Sequence, residues 1–319
     1  MARPRQTQSY LRSLFSQRGV APQHRYGQNF LIDLNIHELI VNAAAVGPDD
    51  VVLEVGPGAG ALTSLMAATG AAVVAVDVDP AMAELTREAT AGLPNVRVLH
   101  ADALSGKHTM NPDVLDAVRS GLAVSPTRRL KLVANLPYNI ATPIVSNMLV
   151  HPELCPSKVV VTIQLELAER MRSEPSRSAY SALSVLCQAL CEIEIVRVLP
   201  PSVFWPRPKV QSAIISLTPD PAKRALVGDL PWFHKVVREV FLYRRKNLRG
   251  VLFSIWKDRW TKPDVDALLE SIGLNGMIRA EAMNIEEFHA LTHALREKFH
   301  DEPADVEAGE DDVSDDDDE

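Results

Sequence analysis

The sequence predicts an α/β protein: a doubly wound, Rossmann-like sheet of seven strands, followed by a small α-helical domain. Short apolar runs rich in valine alternate with helical patterns from about residue 36 to residue 200. These runs are continuous rather than alternating, which is typical of parallel strands buried on both faces. Beyond residue 219 such runs become few and amphipathic helical stretches follow. Alternating strands and helices, then helices alone, indicate this architecture.

The individual elements follow from the apolar runs and the helical patterns between them. The predicted strands are residues 51–55, 72–78, 96–99, 130–135, 158–165, 193–199 and 212–219. The helical patterns occupy residues 35–46, 61–69, 81–92 and 142–150. We expect Thr142 to cap the last of these helices, with Pro143 in its first position.

Composition divides the chain of 319 residues into four predicted segments. A basic extension at 1–25 precedes the sheet domain at 26–219, and a helical domain follows at 220–300. The last segment, 301–319, holds 12 acidic residues and no basic one, which predicts a disordered acidic tail. The whole chain has a net charge of −8, but residues 1–300 carry 33 basic and 29 acidic side chains, a charge of +4. The folded part therefore permits a polyanionic partner.

The arginine-rich start of the chain has two interpretations. The first 30 residues contain five arginines and no acidic residue, a composition that transit peptides share. Alternatively, Tyr10, Leu11, Leu14 and Phe15 lie on one face of an ordered helix. We favour the ordered helix.

Composition also excludes several classes of protein. No apolar run reaches the roughly 18 residues that a membrane span needs. Three cysteines suggest neither a disulfide framework nor a zinc site, and Cys187 and Cys191 fit a helical pattern as small core residues. None of the nine histidines belongs to a ligand cluster, so no metal is predicted. These features predict a protein of the reducing cytoplasm.

A glycine-rich turn follows the first predicted strand. Gly56, Gly58 and Gly60 let the backbone turn sharply and let a ligand approach without meeting Cβ atoms. Asp77 lies 21 residues after Gly56, at the end of the next strand, where a carboxylate can accept hydrogen bonds from both hydroxyls of a ribose. Together they predict a nucleoside-binding site.

Two cofactors are compatible with this turn. The spacing Gly56-x-Gly58-x-x-Ala61 satisfies the loose dinucleotide pattern, which leaves a dehydrogenase as an alternative. Glu54, however, would repel a pyrophosphate, whereas it would tolerate a sulfonium or an ammonium group. Asp102 ends the third strand, where it can accept a hydrogen bond from an adenine amino group. Acidic residues at three successive strand ends favour S-adenosylmethionine over NAD.

The sequence Asn-Leu-Pro-Tyr after the fourth strand suits methylation of an exocyclic adenine amine. This nitrogen is a poor nucleophile because its lone pair is delocalised, so the site must offer acceptors to its two N–H bonds. The predicted acceptors are the Asn135 side-chain carbonyl and the Leu136 main-chain carbonyl, and Pro137 keeps Leu136 extended. Tyr138 offers a flat face to an extruded base.

These motifs resemble those of the ribosomal RNA adenine dimethyltransferases, specifically the small-subunit (KsgA-like) dimethyladenosine transferases. The resemblance covers residues 22–299. The motifs that carry it are YGQNFLID (26–33), EVGPGAGALT (54–63), VDVDPAM (76–82), ADAL (101–104), NLPYNIATPI (135–144), VFWPRPKVQSAI (203–214), FLYRRKNLRGVL (241–252) and RAEAMNIEEF (279–288). The sheet is then expected to be that of a class I methyltransferase.

The resemblance implies roles for named residues. The implied contacts to S-adenosylmethionine come from Asn29, Leu31, Gly56, Asp77, Asp102 and Asn135, beside the Glu54 and Gly58 already placed there. Asn135, Leu136 and Tyr138 are implied to hold the target adenine, with Phe204 stacking on its other face. The implied reaction converts two adjacent adenosines in a hairpin loop near the 3′ end of 16S rRNA to N6,N6-dimethyladenosine. The implied partner is the pre-30S ribosomal particle, and the chain is expected to be a monomer.

A basic cluster in the C-terminal part predicts contact with RNA. Arg244, Arg245, Lys246 and Arg249 fall within about two helical turns, which suits a face that follows RNA phosphates. A solvated helix face gives the same pattern.

Two further functions remain open on the sequence. One is a large-subunit adenine dimethyltransferase of the antibiotic-resistance type, a group that more often has isoleucine where this chain has Leu136. The other is a non-catalytic ribosome assembly factor that keeps the fold. The chain also departs from the family pattern at Leu165, where a lysine is usual, and at Ser181, where a glycine is usual.

Overall fold

The computed structural model describes residues 6–106, 109–243 and 246–301. The predicted acidic tail, apart from residue 301, lies outside this described part. The chain divides into two compact units, Met1–Ala225 and Leu226–Glu319. The first unit contains a seven-stranded sheet, and the described part of the second is built from helices.

The strands of the first unit form one large sheet and two small ones. In chain order they are β1 (Phe30–Leu31), β2 (Asp50–Val55), β3 (Ala72–Asp77), β4 (Val96–His100), β5 (Leu104–Gly106), β6 (Thr109–Met110), β7 (Arg129–Asn135), β8 (Lys158–Gln164), β9 (Cys191–Leu199), β10 (Phe204–Trp205) and β11 (Ser212–Pro219). The large sheet has the order β4-β3-β2-β7-β8-β11-β9. Its first five strands are parallel, and β11 is antiparallel to both neighbours. The predicted doubly wound sheet of seven strands is confirmed.

Helices cover both faces of this sheet. In chain order the helices of the described residues are α1 (Gln8–Arg18), α2 (Leu34–Ala44), α3 (Ala61–Ala68), α4 (Pro80–Ala89), α5 (Pro112–Leu122), α6 (Ala141–Val150), α7 (Leu165–Met171), α8 (Ala182–Leu190), α9 (Pro221–Val227), α10 (Leu230–Leu242), α11 (Leu248–Ile255), α12 (Lys262–Ser271) and α13 (Ile285–Lys298). The last four belong to the second unit. Val52 packs in one cluster with Ile40 of α2 and Met66 of α3. Its neighbour Val51 faces α5 on the other side of the sheet. A Cβ added to Gly121 of α5 would lie 3.1 Å from the Val51 Cγ1. Successive strand residues point to opposite faces, so both faces are buried.

Within the arginine-rich start, Gln8–Arg18 form the ordered helix that we favour. Thr7 caps α1 by accepting a hydrogen bond from the Tyr10 N–H at 3.3 Å. Leu11 and Phe15 are buried in a cluster with Phe30, and the Phe15 ring meets Phe30 edge-on at 5.1 Å between centroids. The helix therefore packs against the segment that leads into the sheet.

Helix α6 begins two residues earlier than the sequence suggests. The expectation that Thr142 caps it and Pro143 starts it is wrong, because residues Tyr138–Ile140 form a 3₁₀ turn that runs directly into Ala141. The Ile140 N–H bonds to the Pro137 carbonyl at 3.2 Å, which closes this turn. Pro143 still lies in the first helical turn, where a missing N–H leaves no hydrogen bond unmade.

The second unit has an aromatic core of its own. Trp232 of α10 is buried and donates its indole N–H to the Thr292 carbonyl of α13 at 3.0 Å. Trp256 stacks on Phe299 with ring centroids 5.0 Å apart.

Two further expectations concern cysteines and membranes. Cys187 and Cys191 are buried, as predicted for small core residues, and burial raises the pKa of both thiols. No helix in the described ranges is long and apolar enough to span a bilayer.

Candidate active site

A cavity lies at the carboxyl ends of the parallel strands, beside the β2–β7 junction where the strand order reverses. Ligands of open α/β sheets bind at this position. Nine of the predicted site residues line the cavity: Asn29, Gly56, Gly58, Asp77, Asp102, Asn135, Leu136, Pro137 and Tyr138. Three of the residues predicted to hold the cofactor or the adenine do not line it, namely Leu31, Glu54 and Phe204.

The glycine turn brings backbone, rather than side chains, against the cavity. Gly56 has a φ of 73°, and its N–H donates to the Val76 carbonyl of β3 at 2.9 Å. A Cβ at Gly56 would lie 3.1 Å from Pro137, and one at Gly58 would lie 2.9 Å from the Phe30 ring. Only glycine fits at both positions, so the turn touches both the Asn-Leu-Pro-Tyr segment and the N-terminal segment.

Asp77 projects into the cavity from the end of β3. Its two oxygens accept the N–H groups of Asp79 at 2.9 Å and of Gly58 at 3.4 Å. Burial raises the pKa of Asp77 to about 7, although these hydrogen bonds oppose the rise. The carboxyl is therefore held rigidly where a ribose needs an acceptor.

Glu54 lies beneath the glycine turn instead of on the cavity surface. It is 1% exposed, and its Oε2 accepts a 2.6 Å hydrogen bond from the Thr63 hydroxyl in the first turn of α3. Burial raises the pKa of Glu54 to about 8, and the nearby charge of Asp77 adds to the rise. This buried carboxyl supports the turn, so direct contact with a cationic group stays a prediction.

Asp102 follows β4 at the exposed side of the cavity. Its Oδ1 accepts the Leu104 N–H at 2.9 Å, and its backbone carbonyl accepts the Asn111 amide at 2.8 Å. These bonds fix the turn after β4. They place a second carboxylate one strand away from Asp77 in the sheet order.

Asn135, the last residue of β7, has a side chain of fixed orientation. Its Nδ2 donates to the backbone carbonyl of Asn29 at 2.8 Å, so the amide oxygen is left to accept a bond in the cavity. Leu136 donates its N–H to the Thr162 carbonyl of β8 at 3.2 Å, and its side chain is buried. The structure thus brings together the two residues predicted to hold an amine.

Tyr138 is half-buried beside them, and its hydroxyl is hydrogen-bonded. The phenol oxygen lies 2.6 Å from the Ser212 Oγ on β11. Burial raises the pKa of Tyr138, and the bond to Ser212 opposes that rise, so the ring is neutral at physiological pH. Sequence reasoning missed Ser212, which is 74 residues away and reaches the site only through the sheet register.

The segment before β1 forms another wall of the cavity. Tyr26, Gly27, Gln28 and Phe30 line it together with Asn29. The Gln28 amide donates to the Asp79 Oδ2 at 2.9 Å, which ties this segment to the start of α4. The YGQNFLID motif contains these residues, but the family resemblance implies a role only for Asn29 and Leu31.

Leu31 and Phe204 pack in the core rather than in the cavity. They pair across the antiparallel β1–β10 ladder and are 4% and 1% exposed. Both belong to the cluster that contains Ile36 and Val133. The predicted stacking of Phe204 on a base is not supported by this position, since the ring has no exposed face.

The basic cluster of the second unit is described only in part. Arg244 and Arg245 lie outside the described residues. The Lys246 Nζ lies 4.8 Å from the centroid of the Tyr243 ring. Arg249 makes a two-bond pair with Asp266, one bond being 2.6 Å between Nη2 and Oδ2. Asp266 therefore compensates the charge of Arg249. The spacing of basic residues in the sequence could not show this pairing.

The cavity fits S-adenosylmethionine better than a dinucleotide. Asp77 and Asp102 line it from the ends of two neighbouring strands, which places carboxyl groups where the ribose and the adenine of this cofactor need acceptors. Asp77 can hold the ribose and Asp102 the adenine, while Gly56 and Gly58 leave room at the backbone. Across the described residues, no group of histidine, cysteine and carboxylate side chains could hold a metal.

Comparison with known proteins identifies the family. The profile of the family described as ribosomal RNA adenine dimethylase matches residues 21–296. The chain belongs to this family. It is an S-adenosylmethionine-dependent methyltransferase, and its partner is ribosomal RNA.

Curated relatives of this dimethylase span nearly its whole length. A protein of Moorella thermoacetica named ribosomal RNA small subunit methyltransferase A is 36% identical over 284 residues, 89% of this chain and 96% of that protein. A protein of the same name from Lactiplantibacillus plantarum is 37% identical, over 90% of this chain and 94% of that one.

Solved structures agree with the fold. A dimethyladenosine transferase from Plasmodium falciparum superposes with a TM-score of 0.68 over 83% of this chain and 97% of that one, at 23% identity. The 23S rRNA methyltransferase ErmE superposes with a TM-score of 0.57 over 84% of this chain and 99% of that one, at 27% identity.

Proposed function

We propose that this dimethylase transfers methyl groups to N6 of two adjacent adenosines in the 3′-terminal hairpin loop of small-subunit (16S) rRNA. The product is N6,N6-dimethyladenosine. One observation carries the proposal: the Asn135 amide, fixed by the Asn29 carbonyl, stands with Leu136 and Tyr138 on a cavity that also contains Asp77. The small-subunit names of the relatives support the choice of rRNA.

The mechanism asks little of the protein beyond positioning. When bound, S-adenosylmethionine supplies an electrophilic methyl group on a positively charged sulfur, so the site needs no strong base. The Asn135 Oδ1 and the Leu136 carbonyl accept the two N–H bonds of the adenine amine, which favours a pyramidal nitrogen. The face of Tyr138 holds the extruded base against these acceptors. Asn29 acts through Asn135, because it prevents the amide from turning its N–H₂ toward the amine.

The substrate particle and the surroundings belong to the same proposal. We infer that the pre-30S particle is the partner, and that the chain works as a monomer in the cytoplasm. The helical domain, 220–300, would contact rRNA phosphates, with Lys246 as a described cation of the predicted cluster. Arg249 contributes less than its neighbours, since Asp266 already pairs with it.

Substitution of Asn135 tests the function. Asn135→Ala removes one of the two acceptors and is expected to lower methyl incorporation into immature 30S particles by at least ~100-fold. RNA affinity should stay near that of the wild type, because phosphate contacts dominate it. Asn42→Ala on the exposed face of α2 is the matched control and should leave both quantities unchanged.

Two results would each redirect the proposal. If the wild-type protein binds its cofactor and the particle but methylates no adenine, a non-catalytic assembly factor is the better description. If mass spectrometry maps the methyl groups to 23S rRNA, the protein is a large-subunit enzyme. We rank this second function lower because the relatives at 36–37% identity carry small-subunit names and because this chain has Leu136 where the large-subunit group more often has isoleucine.

A further inference from the structure

We propose that Ser212 is a positioning residue that holds the ring of Tyr138 in place as the stacking surface for the target base. This inference rests on the proposed function, since it assigns a second residue to the same adenine site. It concerns only side chains of this chain and requires no contact between Ser212 and the substrate.

The ring of Tyr138 is fixed at both ends. Its backbone sits in the 3₁₀ turn that the Ile140-to-Pro137 hydrogen bond closes at 3.2 Å. Its hydroxyl is held by the Ser212 Oγ at 2.6 Å. With the hydroxyl anchored, the ring cannot swing about the Cα–Cβ bond into the cavity or out to solvent, so it stays at the cavity wall.

Ser212 is a rigid support for this bond. It is 0% exposed and begins β11, where it pairs with Gln164 of β8 on one side and Leu199 of β9 on the other. A strand bonded on both edges moves little, so the Oγ has a defined position. Functional side chains work best when such packed neighbours fix their rotamers.

Satisfying buried polar groups does not by itself explain the pair. On β11 the serine is followed by Ala213, Ile214 and Ile215, so an alanine would suit the strand equally well. The specific consequence of a serine at this place is the position of the ring.

Three variants measure this consequence. Ser212→Ala and Tyr138→Phe each remove the hydrogen bond but keep the ring, so each should lower kcat by about three- to tenfold. The double variant should lose no more than either single one, because both changes delete the same interaction. The control is Ser216→Ala, which changes another buried serine of the same strand and should keep the wild-type rate.

A stacking signal separates positioning from a general structural defect. Immature 30S particles that carry 8-vinyladenosine, a fluorescent adenosine that keeps the N6 amine, at one target position should show quenched fluorescence with the wild type and with Ser216→Ala. The quenching should weaken with Ser212→Ala and Tyr138→Phe, while calorimetry gives an unchanged Kd for S-adenosylmethionine.

Failure of the proposed function and failure of the role of Ser212 give different results. A wild type that methylates no adenine would overturn the proposed function itself. A wild type that methylates normally, with Ser212→Ala and Tyr138→Phe equal to Ser216→Ala in kcat and in quenching, would overturn only the role of Ser212. If Ser212→Ala does not fold, Tyr138→Phe decides alone, because it deletes the same bond from a half-exposed residue.

Discussion

Glu54 shows how burial at one residue makes stability depend on pH. Its pKa is about 8 in the folded chain, against an ordinary value of 4.5. Between these two values the folded state keeps a proton that the unfolded state has lost. The free energy of unfolding therefore falls as the pH rises through this window, by up to about 1.4 kcal/mol per pH unit from this group.

Glu54→Gln should remove this part of the pH dependence. A glutamine keeps an acceptor oxygen for the Thr63 hydroxyl but does not titrate. In urea unfolding of the cofactor-free protein from pH 6 to pH 8, we expect the wild type to lose stability relative to Glu54→Gln as the pH rises. Glu38→Gln, at an exposed position of α2, should follow the wild type. Parallel curves for wild type and Glu54→Gln would show that the carboxyl is already ionised at pH 6.

Single residues also show what the sequence could foretell about the site. The positions of Asp77, Asp102 and Asn135 at the cavity could be predicted because each lies at or just after the end of a parallel strand, and such ends meet at one edge of a sheet. Two contacts could not be predicted, because they depend on register and packing between distant segments. These are the hydrogen bond between Tyr138 and Ser212 and the ion pair of Arg249 with Asp266. The burial of Phe204 could not be foreseen for the same reason, because it is set by the pairing of β10 with β1.

At the scale of elements, the turn between β2 and α3 depends on its glycines for two separable reasons. Gly58 has a φ of 59°, a left-handed conformation that costs other residues about 1–2 kcal/mol. A Cβ there would also lie 2.9 Å from the Phe30 ring. Gly92, which follows α4, has a φ of 83° but nothing within 4 Å of an added Cβ.

Gly58→Ala and Gly92→Ala therefore form a matched pair. We expect Gly92→Ala to lower the free energy of unfolding by about 1 kcal/mol, through backbone strain alone. Gly58→Ala should cost about 2–4 kcal/mol, because the clash with Phe30 is added. It should also weaken binding of S-adenosylmethionine in calorimetry, whereas Gly92→Ala should bind normally. Equal losses in both assays would mean that Phe30 moves aside and that close contact at Gly58 is unimportant.

Elements differ in how far the sequence determines them. The inner strands β2, β3, β7 and β8 follow from continuous valine-rich runs, because strands buried on both faces need such runs. The edge strands β4 and β9 are partly exposed and carry a weaker, interrupted apolar pattern. The two-residue strands β1 and β10 carry no such signal, since their pairing is a tertiary contact. The start of α6 was misplaced because the threonine–proline signal for a cap competes with the 3₁₀ turn at Tyr138–Ile140, which already points the chain into the helix.

The whole molecule combines a basic folded part with an acidic end. Residues 301–319 hold 12 of the 41 acidic side chains, so the charge changes from −8 for the full chain to +4 for residues 1–300. RNA is a polyanion, and its association with a protein depends on the summed field as well as on single contacts. The end of the chain should therefore weaken and slow the encounter with rRNA.

Deleting residues 301–319 tests this balance of charge. At about 50 mM salt the shortened protein should bind a small-subunit rRNA fragment more tightly, by a factor on the order of ten. The gain should nearly vanish at about 0.5 M salt, where exposed charges are screened within a few ångströms. A full-length variant in which every acidic residue of 301–319 is changed to its amide separates the effect of charge from the effect of length. If this variant binds RNA as tightly as the shortened protein does, the effect is due to charge. If it binds like the wild type, the segment acts by occupying space. If deletion changes nothing at low salt, the folded part meets RNA through local contacts that the acidic end does not reach.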